Sequence, residues 1–91
     1  MKVEKRDLTI RNRLGLHARA AALFVQTANR YKSDVHIEKD GNRVNGKSIM
    51  GVMMLAAAQG SVIRLEIAGP DASEAMDALE HLVDDKFGED Q

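Results

Sequence analysis

The hydrophobic residues of this chain change period several times within short spans, and that constrains the fold more than any other feature. Leu8 and Ile10 alternate with Asp7, Thr9 and Arg11. Val35 and Ile37 alternate with Asp34, His36 and Glu38. Ile63, Leu65 and Ile67 alternate with Val62, Arg64 and Glu66. A period of two describes a short strand with one apolar face. Asp40-Gly41 is a two-residue hairpin signal, so a returning strand is expected near Asn42–Asn45 with Val44 inward. Strands that are apolar on one side only build an antiparallel sheet with helices on a single face. The opposite face, with Thr9, His36, Glu38, Arg64 and Glu66, should be wet.

Between the strands the period lengthens towards 3.6. Ala21, Phe24, Val25 and Ala28 form a buried stripe on a helix that begins at Ala18. Ser48 stands before Ile49, Met50, Val52, Met53, Met54 and Leu55. Its hydroxyl is suited to cap a helix of about two turns, ending near Gln59-Gly60. Asp71 and Glu74 have capping-box spacing. They introduce a last helix whose face is Ala72, Ala75, Met76, Leu79, Leu82 and Val83. The order is β-α-β-β-α-β-α, an α+β chain. Its 91 residues allow one domain, residues 1–91, with the acidic tail 88–91 expected to fray.

Composition narrows the function. Thirteen Lys and Arg against 14 Asp and Glu leave a net charge of −1, without the basic excess of a general nucleic-acid binder. Phe24, Tyr31 and Phe87 are too few aromatics for a base-stacking sheet. The absence of cysteine excludes disulfides, thiol catalysis and cysteine-ligated metals. No apolar run reaches the ~20 residues of a membrane span and none resembles a signal peptide, so a cytoplasmic protein is expected. No metal motif and no cofactor motif is present.

Three histidines need sorting. His36 lies on the polar side of a strand and His81 off the main stripe of the last helix; both read as solvated. His17 lies where an irregular segment becomes a helix. Unpaired N–H groups and the positive end of the helix dipole favour an anion there and a neutral, nucleophilic imidazole. Gly15 allows close backbone approach, and Arg19 offers a guanidinium fork to phosphate oxygens. These residues describe an imidazole that accepts a phosphoryl group, or a solvated histidine at a helix start. Ser48 reads as an N-cap that could also carry a phosphate. The helix after it has more apolar residues than one buried stripe needs. Ile49, Met50 and Met53 either dock partners or are wedged into the core.

Gly15-Leu16-His17-Ala18-Arg19, followed by Asn45-Gly46-Lys47-Ser48-Ile49-Met50-Gly51-Val52-Met53, resembles HPr. This is the histidine-containing phosphocarrier family of the bacterial phosphoenolpyruvate-dependent phosphotransferase system. The likeness covers roughly residues 8–85. It implies an open-faced β-sandwich, a four-stranded antiparallel sheet of order 1-4-2-3 under three helices. It implies phosphorylation of His17 at Nδ1 beside Arg19, with enzyme I as donor and IIA domains as acceptors. Ser48 matches the serine modified by an HPr kinase/phosphorylase in many members, which implies regulation and a regulatory target. Ile49, Met50 and Met53 match the family's docking surface, with Lys47 at its rim. Ala20 replaces the proline that usually follows the His-Ala-Arg segment, and Met54 stands where many relatives have a small or polar residue.

The expectation is a phosphocarrier rather than an enzyme, monomeric, without cofactor, nucleic acid or membrane as partner. A purely regulatory module of the same fold, a nitrogen-related branch of the phosphotransferase system, and a small RNA-binding domain are the alternatives.

Overall fold

The computed structural model describes residues 2–90. Four strands, β1 (Lys2–Thr9), β2 (Asp34–Lys39), β3 (Asn42–Asn45) and β4 (Val62–Gly69), form one sheet of order β1-β4-β2-β3. Every neighbouring pair is antiparallel: β1 runs against β4 from Lys2↔Gly69 to Thr9↔Val62, and β4 against β2 from Asp34↔Ala68 to Glu38↔Arg64. β2 and β3 form the hairpin predicted at Asp40-Gly41, where φ is 52° and 82°. Positive φ at both turn residues gives the backbone twist that matches the flanking strands.

Three helices, α1 (Ala18–Ala28), α2 (Ile49–Met54) and α3 (Ala72–Asp84), cover one face of this sheet. The alternating residues Val35, Ile37, Ile63, Leu65 and Ile67 all point into the core, with Phe24, Val52, Met76 and Leu79 above them. Burying a side chain of this size stabilises the fold by about 1.5–3 kcal/mol. On the opposite face Arg64 pairs with Asp7 at 2.8 Å and Arg43 with Glu66 at 2.6 Å, so the polar residues there form a charged surface.

Several expectations need correction. β1 begins at Lys2, well before the apolar alternation at Leu8, and Ile10 lies just beyond it. Before Leu8 the strand faces α3 through Arg6, whose guanidinium binds Asp77 and Glu80, so its inward side there is ionic rather than apolar. α2 stops at Met54 instead of continuing to Gln59. Ala56 has φ of 49°, which helix-forming alanines adopt only under tertiary constraint. Leu82 is half-buried at the margin of the α3 stripe.

Asp71 also differs from its expected role, since its side chain makes no capping bond to α3. It reaches across the molecule instead. Its carboxylate accepts from the backbone N–H groups of Lys32 and Ser33 at 2.8 and 2.9 Å and from the Ser33 hydroxyl at 2.5 Å. The turn before β2 is thereby tied to the turn before α3. The tail is not simply frayed either. Phe87, in a 3-10 turn at Lys86–Gly88, is buried, and Glu89 is held against the body of the protein. Gln91, the last tail residue, lies outside the described residues.

The bonds from the Ser33 hydroxyl and the Lys32 and Ser33 N–H groups lower the Asp71 carboxyl from 3.8 to about 2. A carboxyl lowered in the folded state stabilises the fold above its unfolded value and loses that contribution as pH falls through the folded value. Asp71→Asn should therefore melt lower than wild type at pH 7. The gap should narrow as pH is lowered from about 4 towards 2, measured by thermal melts across that range.

Candidate functional site

The segment between β1 and α1 shapes the site. Asn12 is fully buried, and the chain turns at Arg13 and Leu14. Gly15 then adopts φ of 67°, and a Cβ on it would lie 2.3 Å from the Ala57 carbonyl oxygen. Only glycine meets both demands. The next residue, Leu16, donates its N–H to that same oxygen at 2.9 Å and buries its side chain. The loop is thus seated on the segment that follows α2, which explains why α2 ends early.

His17 follows as the N-cap of α1. Its backbone is extended and its carbonyl accepts the first helical bond from Ala21 at 2.8 Å, while its side chain caps nothing. The imidazole is therefore free to act elsewhere. Ala20, at the position of the usual proline, is fully buried in the first turn, and α1 starts at the same place as the motif predicts. His17 and Arg19 line one open hollow of about 490 Å³ together with Arg13, Leu14, Glu89 and Asp90. Arg19 is exposed there. His36 lies on the open sheet face and His81 is exposed on α3, so neither joins this site.

Two members of the site escaped the sequence reading. Glu89 Oε2 lies 2.5 Å from His17 Nε2, and Glu89 Oε1 accepts from the Asn12 side-chain amide at 3.1 Å. Asn12 Nδ2 also reaches the Gly15 carbonyl at 2.8 Å. Burial pushes the Glu89 carboxyl up. The bonds from His17 and Asn12 and the charges of His17 and Arg19 outweigh that and leave it below the usual glutamate value. An ionised carboxylate can only accept, so Nε2 carries the proton in this contact. In the neutral ring the lone pair is then on Nδ1. Nothing local in the sequence marks Glu89, which is 72 residues from His17. An Asn three positions before a glycine is a weak turn signal that could have drawn attention to Asn12.

The second motif forms a separate surface on α2. The Ser48 hydroxyl accepts from the Gly51 N–H at 3.1 Å, as its N-cap role requires. Among the residues of α2 only Val52 is buried. Ile49 and Met53 are 45% and 42% exposed, and Met50 and Met54 are 72% and 76% exposed. The core therefore does not absorb the apolar excess of this helix. Lys47 is less free than a rim position suggests, because Nζ donates to the Tyr31 carbonyl at 2.7 Å. Exposed Leu14, beside His17, is an apolar residue that the sequence reading left in the connection.

Residues 4–85 match the PTS-HPr family, described as the PTS HPr component phosphorylation site. The phosphocarrier protein HPr of Neisseria meningitidis serogroup A is 58% identical over 93% of this chain and 96% of its own. The crystal structure of HPr from Thermoanaerobacter tengcongensis superposes with a TM-score of 0.93 at 49% identity, covering 97% of this chain and 99% of that one. Crh of Bacillus subtilis, described as a domain-swapped dimer, has a TM-score of 0.75 at 49% identity, covering 94% and 93% of the two chains. With the family matched over nearly the whole chain and the fold shared, this chain belongs to the HPr family of phosphotransferase-system phosphocarriers.

Proposed function

We propose that this chain carries a phosphoryl group on Nδ1 of His17, taking it from phosphorylated enzyme I and giving it to IIA domains. The observation that carries this reading is the seating of Nε2–H on Glu89, which leaves the Nδ1 lone pair as the nucleophile. As the Nδ1–phosphorus bond forms, the bond from phosphorus to the donor nitrogen breaks and its electron pair returns to the donor. Nε2 keeps its proton throughout. Charge spreads over the phosphoryl oxygens in flight, and Arg19, which lines the same hollow as His17, is read as the group that stabilises it. His17, Arg19, Asn12 and Glu89 all come from one chain, so a monomer is sufficient for the chemistry. A purely regulatory role would leave such a poised imidazole unused.

The exposed Ile49, Met50 and Met53 are read as the surface that receives both donor and acceptor, with Lys47 beside it. Ser48 is read as a regulatory phosphorylation site. Phosphate there would add about −1.5 to −2 charges at a helix start that tolerates them, yet at the edge of an apolar surface that a partner must desolvate.

Incubation with phosphoenolpyruvate and enzyme I should give an acid-labile adduct of one phosphoryl group, read by mass. His17→Ala should abolish it, whereas His36→Ala and His81→Ala should keep it. Arg19→Ala should fold within about 0.5 kcal/mol of wild type and transfer roughly tenfold more slowly. Retained acid-labile label in His17→Ala would remove His17 from the role.

Met50→Asp should weaken association with enzyme I while leaving the melting temperature nearly unchanged, measured by calorimetric titration and thermal melts. Protein phosphorylated at Ser48 should accept the phosphoryl group at His17 more slowly than unmodified protein. An equal rate would leave Ser48 as a helix cap only.

A further inference from the structure

The carboxylate at His17 comes from a part of the chain with no evident reason to be there. Glu89 is the third residue from the end, yet its side chain is only 13% exposed. The tail is brought back by Phe87, which is buried with φ of 56°, and by the Glu89 N–H, which donates to the Lys86 carbonyl at 3.0 Å. Each carboxylate oxygen then has its own donor, Asn12 on Oε1 and His17 on Oε2. Asn12 is itself fully buried and fixed to the Gly15 carbonyl. A charge drawn out of water needs such donors to be tolerated. The arrangement is a chain of contacts from a buried amide through a carboxylate to an imidazole.

We propose that Glu89 is a positioning residue for phosphoryl transfer. Backed by Asn12, it holds the His17 ring with its proton on Nε2 and offsets the positive charge that the ring acquires as Nδ1 bonds to phosphorus. The inference rests on the carrier reading above and adds the end of the chain to the site. In the other neutral tautomer the Nε2 lone pair would face a carboxylate oxygen at 2.5 Å, two acceptors in repulsion. During transfer the ring gives a lone pair to phosphorus and loses no proton, so it becomes cationic. A carboxylate in contact with the opposite nitrogen stabilises that state more than the neutral ring, which is the condition for assisting the step. A histidine oriented through its second nitrogen by a carboxylate follows the same physical logic in other nucleophilic and metal sites. The opposite role, a latch that shields His17 from its donor, predicts the reverse effect on rate.

The test uses the full chain as wild type, Glu89→Ala and Glu89→Gln, with three readouts. These are nitrogen-15 spectra of the His17 ring, the rate of phosphoryl transfer from phosphorylated enzyme I, and the melting temperature. Wild type should show the proton on Nε2. Glu89→Ala should show mixed tautomers and transfer about tenfold more slowly, with an unchanged melting temperature because Phe87 still anchors the tail. Glu89→Gln removes the charge and offers one acceptor oxygen where the carboxylate offers two, to Asn12 and His17, so it should recover only part of the rate. A Glu89→Ala rate equal to or above wild type, or ring spectra that do not change, would overturn the proposal. If wild type accepts no phosphoryl group at all, the carrier reading fails, and the ring spectra alone still decide whether Glu89 sets the tautomer.

Discussion

Ile63, Leu65 and Ile67 lie on the central strand β4, fully buried, while Arg64 and Glu66 between them face water. A sheet divided in this way must be covered on one side and left open on the other. The rest of the chain answers that demand. α1 and α3 lay their apolar stripes on the covered face, and α2 fills the remaining space with Val52 alone. Because the covering layer is complete with so little of α2, its other apolar side chains stay outside. The open surface of Ile49, Met50 and Met53 is thus a consequence of how the core is closed.

The same closure positions His17. The loop before α1 cannot wander, because Gly15 approaches the Ala57 carbonyl too closely for any side chain and Leu16 bonds to it. His17 therefore starts α1 at a fixed point on the rim, with its carbonyl committed to the helix and its ring released. On the far side of the ring the returning tail supplies Glu89. The start of α1 and the segment that follows α3 meet at one imidazole. Its two nitrogens are made chemically distinct by that meeting: Nε2 is engaged by a carboxylate, and the residue itself lines the hollow shared with Arg19.

Ionic contacts elsewhere in the molecule serve mainly to define edges. Arg6 fastens the polar half of β1 to α3, and Asp71 fastens the turn before β2 to the turn before α3. Pairs as exposed as Arg64 with Asp7 contribute little, typically under about 1 kcal/mol. Asp71 differs because three separate donors converge on its carboxylate, and the depth of its lowered pKa reflects that convergence.

The sequence by itself determined the strands with alternating apolar residues, the hairpin at Asp40-Gly41, the stripes of α1 and α3, and the cap at Ser48. All of these are local: a period, a turn pair or a hydroxyl three residues from its N–H. His17 and Arg19 were legible for the same reason, since a helix start is a local event. Tertiary structure alone decided the rest. The ionic half of β1 has no apolar period, and its strand form depends on pairing with β4 and on α3 beside it. Ala56 leaves the helix against its own propensity because the Ala57 carbonyl must meet Leu16. Asp71 has a capping residue's spacing but finds better donors at Ser33. Glu89 looks like any acidic residue in a polar tail. Its contact with His17 arises only when Phe87 buries itself and brings a carboxylate across 72 residues, a meeting that no local pattern encodes.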